Sequence, residues 1–354
     1  MKERIKRLLQ LARTDAILIT DLINLRYLTG FTGSSGFAII TDTKNYFLTD
    51  NRYKIQSSQE IFSFYRIIIY ERESLKKIID ILKKLKIKKL GIEYETVSWG
   101  FIKKLKKELK GLKLINVSEY ILSLRSVKTP EEIKKIKRAI RIAENSLNGI
   151  MDLIKPGTKE RDIAIELEYR MLKNGAEGIA FPIIVASGYR AALPHAKAGN
   201  RKLKLNDIVL IDFGCIFDGY NSDITRTFFL GKPSKLLKKA FNTVKEASKL
   251  AIDSLKEGIN TAEIAIKIDN YIKEAGFKDG LIHSLGHGIG LGIHELPVLN
   301  KYKEMKLMEN TVFTIEPGIY IYKKGGIRIE NIIHLTKEDV KLLTTLPWDM
   351  QSLF

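Results

Sequence analysis

Late in the chain Asp212, Asp223, His287, Glu316 and Glu330 follow one another, each beside an apolar, strand-like run or in a glycine-rich turn. Together they describe a site for two metal ions. The four carboxylates among these residues supply hard oxygen ligands and up to four negative charges, which two divalent cations would balance. The one imidazole suits Mn, Co, Zn or Fe better than Ca. Metal-assisted hydrolysis is the chemistry such a set performs.

The residues around these five sharpen the reading. Asp212 ends the run Ile208 to Ile211, and Asp223 opens a second run after the polar stretch Asp218, Gly219, Tyr220, Asn221 and Ser222. A hairpin would bring the two carboxylates together. Taken singly, Asp212 could cap a turn and Asp223 could pair with Arg226, because turn aspartates are common. The segment from His283 to Glu295 is less ordinary, holding His283, His287 and His294, three of the five histidines. Its four glycines, Gly286, Gly288, Gly290 and Gly292, oppose a stable helix and let backbone approach a metal closely. Glu316 follows the run Thr311 to Ile315, and Glu330 closes Gly326 to Ile329. An unpaired buried carboxylate costs several kcal/mol, so each needs a cationic partner. Arg328 shares a strand face with Glu330 and could orient a carboxylate or hold substrate. A plain Arg328 to Glu316 salt bridge is the alternative, and it leaves Glu330 unexplained.

These groups need a scaffold, and the chain is long enough for two cores. In the first third, short runs rich in Ile and aromatics (Ala16 to Thr20, Phe37 to Thr41, Tyr46 to Thr49, Phe64 to Tyr70, Leu90 to Tyr94) alternate with amphipathic stretches such as Ser74 to Lys86 and Val97 to Leu109. That pattern predicts an α/β unit. Thr129, Pro130, Glu131 and Glu132 supply an N-cap, an N1 proline and first-turn acids, so a second unit opens near there on a long helix. Helices are expected over Glu131 to Leu153, Lys159 to Leu172, Lys235 to Leu255 and Thr261 to Ala275. Strands are expected over Ile208 to Gly214 and Asp223 to Leu230.

The net charge of +19 raises the question of nucleic acid. The lysines fall beside apolar positions at helical spacing, as around Leu75, Ile78, Ile79, Ile81 and Leu82, and read as solvated helix faces. Nucleic acid is therefore not the expected partner. No run approaches the roughly 18 apolar residues of a membrane span, and charges interrupt the first twenty residues, so no membrane association and a cytoplasmic location are expected. Cys215, the only cysteine, has no partner for an internal disulfide.

The segments LIDFG, SDITRTF, HSLGHGIGLGIHE, TIEPGIY and GIRIEN, in this order, resemble the proline-specific metallopeptidases of the pita-bread family M24, which comprise Xaa-Pro aminopeptidases and Xaa-Pro dipeptidases. FPIIVASGYRAALPHAKAGNRKL resembles that family's substrate segment, while NLRYLTGFTGSSG and LTDNRY resemble its creatinase-like N-terminal domain. The resemblance implies an α/β (α+β) fold: a creatinase-like α/β domain over 1–125, then a pita-bread domain over 126–354 with antiparallel sheet and flanking helices. It implies two divalent ions, manganese first and Co, Zn or Fe as alternatives, bridged by Asp223 and Glu330 and completed by Asp212, His287 and Glu316. Catalytic roles fall to Glu316, His294 and His195, and substrate contacts to His195, His283, His294 and Arg328. His334 matches no catalytic position.

In such a site two neighbouring cations lower the pKa of a water between them toward about 7. His294 would help stabilise the oxyanion, and Glu316 would move a proton to the prolyl nitrogen. A tertiary Xaa-Pro amide has no N–H, so its ring must be recognised instead, with Phe181 and Tyr220 as candidate walls. Where some dipeptidases carry an arginine that holds a free carboxylate, this chain reads Glu295, Leu296, Pro297, Val298. The expectation is therefore an Xaa-Pro aminopeptidase, with an Xaa-Pro dipeptidase (prolidase) as the alternative. A methionine aminopeptidase normally lacks the N-terminal unit. A non-catalytic binding protein on this fold typically loses ligands, whereas all five stand here. Proline-containing peptides are the expected substrates and a homodimer the expected assembly.

Overall fold

Lysine-rich amphipathic segments and short apolar runs build the first unit, Met1–Arg125, of the computed structural model, which describes residues 2–348. The outer limits of the two expected domains, residues 1 and 354, lie outside the described residues. The unit holds helices α1 (Lys2–Ala12), α2 (Leu22–Thr29), α3 (Lys54–Glu60), α4 (Ser74–Lys84), α5 (Trp99–Glu108) and α6 (Ser118–Ser126). Its strands are β1 (Ala16–Ile19), β2 (Phe37–Ile40), β3 (Asn45–Asp50), β4 (Tyr65–Tyr70), β5 (Lys89–Ile92) and β6 (Lys113–Asn116). They form one mixed sheet in the order β4-β3-β2-β1-β5-β6. The pairs joined through a helix, β3 with β4 and β5 with β6, are parallel, as a crossover connection requires. Ile78, Ile79, Ile81 and Leu82 of α4 bury against Leu18, Ile39, Leu48, Leu90 and Ile92 of the sheet, and the lysines of α4 stay outside.

The second unit, Ser126–Phe354, opens with α7 (Pro130–Asn148). Thr129 caps α7 and Glu132 returns its side chain to the Thr129 N–H, a full capping box. The helix ends at Asn148 and not at Leu153 as expected, because Gly149 stops it and Met151–Leu153 forms a single tight turn. Next come α8 (Glu160–Lys173), β7 (Gly178–Ile179), β8 (Ile184–Ser187), β9 (Ile208–Phe213), β10 (Cys215–Phe217), β11 (Tyr220–Asn221) and β12 (Ile224–Phe229). Helices α9 (Lys235–Asp253) and α10 (Thr261–Glu274) follow. The chain continues with β13 (Gly286–Gly288), β14 (Glu295–Leu299), β15 (Thr311–Ile315), β16 (Gly318–Ile321), β17 (Gly325–Arg328), β18 (Asn331–Leu335) and β19 (Val340–Leu342). Among the described residues every pairing in this unit is antiparallel, chiefly in the sheets β12-β9-β8 and β14-β13-β15-β18-β19.

The two-residue period of β9 sorts its side chains between two cores. Val209, Ile211 and Phe213 join Ile136, Ile140 and Ala143 of α7 and Leu167 of α8. Ile208 and Leu210 join Phe241 and Val244 of α9 and Ile268 of α10. Asp212 continues the second series, so a carboxylate stands where the next apolar residue would. Among the described residues no helix is long and apolar enough to cross a membrane.

Candidate metal centre

Antiparallel register gathers the acids at strand ends. Asp212 on β9 pairs with Thr225 on β12, and Asp223 lies two residues before Thr225 on the same face. In the other sheet Ile315 pairs with Asn331, so Glu316 and Glu330 each stand one residue beyond the last pair and face each other. His287 lies on β13 between β14 and β15, and its N–H donates to Thr314 Oγ1 at 3.1 Å. The structure thus brings together Asp212, Asp223, His287, Glu316 and Glu330. One oxygen or nitrogen from each of Asp223, His287 and Glu330 lies within 4.8 Å of the others.

The hydrogen bonds of His287 define its tautomer. Its Nδ1 lies 3.1 Å from the Gly288 carbonyl oxygen, which can only accept, so Nδ1 carries the proton. In the neutral ring Nε2 then presents a lone pair to Asp223 Oδ2 and Glu316 Oε1, each 3.5 Å away. A lone pair facing two carboxylates has nothing to share unless a cation stands between them. Asp212 Oδ1 is buried with no hydrogen-bond partner among the described residues. Burial, and then the charges of Asp212 and Glu316, push Asp223 well above the usual carboxylate range. Glu330 is pushed the same way by burial, Asp223 and Glu316. Asp212 rises through burial, with Arg328 opposing. Hard oxygens, one imidazole nitrogen and uncompensated negative charge fit divalent cations.

A single arginine braces this cluster. Arg328 Nη2 donates to Asp212 Oδ2 at 2.6 Å, Nη1 to the Tyr320 hydroxyl at 2.6 Å, and Nε to Thr225 Oγ1 at 3.0 Å. Thr225 in turn donates to Glu330 Oε2 at 2.8 Å, so one guanidinium reaches two acids, the second through a hydroxyl. The Arg328 to Glu316 salt bridge weighed above is not formed. Nor does Arg226 pair with Asp223: it donates to the Glu330, Leu346 and Pro347 carbonyls instead.

The other histidines separate by environment. His283 Nδ1 donates to the Ser284 carbonyl at 2.7 Å, leaving Nε2 to accept from the Tyr320 hydroxyl at 3.0 Å. His283 Nδ1 also lies 3.9 Å from Glu316 Oε2. His294 packs edge-on to His287 with ring centres 4.3 Å apart. Burial lowers both pKa values below the usual 6.5 and favours neutral rings. His195 is exposed, close enough to influence the charge of His283 and His294. His334 lies apart, with Nε2 3.3 Å from Asn310 Oδ1.

Other expectations are corrected. Side chains at Gly286 and Gly288 would stand 1.9 Å from the Thr314 carbonyl and 2.1 Å from that of Leu296, so these glycines allow strand to approach strand. Tyr220 donates to Glu132 on α7 and packs in the core, so it does not wall a substrate pocket. Phe181 is partly buried beside Gly214. Two contributors escaped the sequence reading. Tyr320 and Thr225 sit within the motifs TIEPGIY and SDITRTF, and their link to Arg328 was invisible because it depends on which strands pair. The buried Lys128–Glu295 pair, 3.0 Å apart, joins residues far apart in the chain and was missed for the same reason.

The chain resembles known proteins along its length. A model of the creatinase/prolidase N-terminal domain covers residues 2–127, and one of metallopeptidase family M24 covers residues 134–337. The Xaa-Pro dipeptidase of Pyrococcus horikoshii is 38% identical over 350 residues, 97% of each chain. The solved structure of an Xaa-Pro dipeptidase from Bacillus anthracis is 38% identical, covers 99% of both chains and gives a TM-score of 0.94. An X-Pro aminopeptidase from Thermotoga maritima gives 0.89 at 37% identity over 98% of both chains. With an antiparallel second unit that gathers four acids and a histidine at its strand ends, the chain belongs to metallopeptidase family M24, the pita-bread peptidases, and carries a creatinase-type N-terminal domain.

Proposed function

We propose that this protein is a dinuclear-metal exopeptidase that cleaves Xaa-Pro bonds and releases the N-terminal residue of proline-containing peptides, an Xaa-Pro aminopeptidase. The observation that carries the reading is the placement of His287 Nε2 3.5 Å from both Asp223 and Glu316, beside Asp212 and Glu330. These five residues would hold the ions, with one ligand atom from each of Asp223, His287 and Glu330 within 4.8 Å of the others. When bound, divalent ions supply Lewis acidity that lowers the pKa of a water and polarises the scissile carbonyl.

The chain's own groups do the rest. Glu316 accepts a proton from the attacking water at a carboxylate oxygen and gives it to the prolyl nitrogen as the C–N bond breaks. His294, neutral because burial lowers its pKa, donates an N–H toward the oxyanion. His283 is held through Tyr320 by Arg328, and this relay sets both the imidazole and the Asp212 carboxylate. His195, exposed at the mouth of the site, contacts the substrate. Manganese is the proposed ion, with Co, Zn or Fe as alternatives. A cytoplasmic homodimer is the proposed state.

The second reading is an Xaa-Pro dipeptidase, favoured by the name of the Pyrococcus horikoshii relative. The stretch Glu295, Leu296, Pro297, Val298 supports the first, because it offers no cation to a dipeptide's carboxylate. Protein reconstituted separately with Mn, Co or Zn should cleave Ala-Pro-Ala at least as well as Ala-Pro. Cleavage of Ala-Pro alone would favour the dipeptidase, and cleavage of neither would sink both.

A further inference from the structure

His195 makes no hydrogen bond of its own among the described residues, so its place is set by the backbone that carries it. That backbone is the segment between β8 and β9, which leaves the sheet at Ser187 and passes through Gly199. Its first leg is secured by the ladder, where Ser187 pairs with Val209. Its second leg, at Gly199, belongs to no strand. Glu160, the first residue of α8 and fully buried, joins the two legs. Its Oε1 accepts from the Ser187 N–H and hydroxyl, both at 2.8 Å. Its Oε2 accepts from the Gly199 N–H and from Arg190 Nε, both at 3.1 Å.

The surroundings fit a clasp. The first N–H groups of α8, unpaired within any helix, donate outward: Glu160 N to the Arg201 carbonyl and Arg161 N to the Gly199 carbonyl, each at 3.0 Å. A negative charge at that helix end is favourable as well. Arg190, inside the loop, also donates to the Lys197 carbonyl at 2.5 Å, which cross-braces it. At the tip, Arg328 Nη1 reaches the Pro194 carbonyl at 3.4 Å, next to His195. The loop is thus tied at its base by Glu160 and at its tip by the arginine that braces the acid cluster.

We propose that Glu160 is a positioning residue for His195, acting by clasping Ser187, Arg190 and Gly199 and so fixing the loop that presents the imidazole. This rests on the substrate role given to His195 above. The test uses full-length, manganese-loaded protein as wild type, Glu160→Gln, His195→Ala and the double variant, with Arg190→Gln as a milder second break in the clasp. Hydrogen exchange at the Ser187 and Gly199 amides is measured beside kcat and KM for Ala-Pro-Ala. Glu160→Gln should speed exchange at both amides about tenfold or more and lower kcat/KM by about tenfold, the scale of lost supporting contacts, with metal content unchanged. Arg190→Gln should move both readouts the same way by less. The double variant should be no slower than His195→Ala, because the clasp acts through that imidazole. Multiplying losses, unchanged exchange, or normal turnover by Glu160→Gln beside an impaired His195→Ala would overturn the proposal alone. Normal turnover by His195→Ala would remove the substrate role of His195 and the proposal with it.

Discussion

Two buried carboxylate sites, one in each unit, show what separates a structural acid from a functional one. In the first unit Glu93 is 1% exposed, yet its oxygens are fully served. Thr20 N, Thr20 Oγ1 and Asp21 N donate to Oε2 at 2.6, 3.1 and 3.0 Å, and Asn24 Nδ2 donates to Oε1 at 2.7 Å. Asn24 is held in turn by Arg125. In the second unit Asp212, Asp223, Glu316 and Glu330 crowd together with one braced arginine, an orphaned oxygen and an imidazole lone pair. The first knot is complete without a ligand, whereas the second is complete only with added positive charge. A buried acid becomes informative when its hydrogen bonds are counted, because burial alone describes both.

The strongest way to break this contrast is to remove a ligand. Asp223→Asn keeps the size of the side chain and removes charge from the centre of the cluster. Several kcal/mol of transition-state stabilisation should go with it, about a thousandfold or more in kcat/KM, together with bound metal measured by elemental analysis. Retained stoichiometry with normal turnover would show that Asp223 belongs with Glu93. Next in size is Lys128→Met. The Lys128–Glu295 pair is almost wholly inaccessible, and Glu295 Oε1 also accepts from the Gly292 N–H in the loop that carries His294. Leaving that carboxylate without its ammonium should lower stability by about 3–5 kcal/mol in urea unfolding. A loss below about 1 kcal/mol would mean that Glu295 finds its positive charge elsewhere.

What the sequence made legible follows the same division. Asp212 and Asp223 could be brought together from one dimension, because a polar turn between two apolar runs implies a hairpin. The three histidines with four glycines in one segment marked a site for a similar local reason. Thr129 to Glu132 announced α7 through their own side-chain bonds. Partnerships across the chain were another matter. That Arg328 holds Asp212 and not Glu316 depends on the order β12-β9-β8 and on the β16-β17 hairpin, which pairs Gly318 with Arg328 and places Tyr320 within reach. The clasp at Glu160 and the pair at Lys128 were hidden because an acid in a first helical turn and a lysine near a linker have ordinary explanations. Helix α2 was missed because little beyond its caps, Asp21 accepting from the Asn24 N–H and the left-handed Gly30, distinguishes so short a segment.

The smallest effects give the sharpest comparison, because the two sites should respond with opposite sign. In Glu93→Gln an amide NH2 must face either the donors from Thr20 and Asp21 or that from Asn24, so about 1–3 kcal/mol of stability should be lost whether or not metal is present. In chelator-treated protein Glu330→Gln should instead raise the melting temperature, because it removes a buried carboxylate that Asp223, Glu316 and Asp212 repel. The pH dependence follows from the same cause. Folded-state pKa values of Asp223 and Glu330 lie above their unfolded values of about 4, so their contribution is fully present below that pH and is lost as pH rises through the folded values. The chelated protein should therefore lose melting temperature as pH rises above the usual carboxylate range, at roughly 2–4 °C per kcal/mol, and added manganese should flatten that slope. A chelated protein whose stability rises as pH climbs above that range, or a Glu330→Gln variant that melts earlier than wild type, would mean that the second cluster satisfies its own charges.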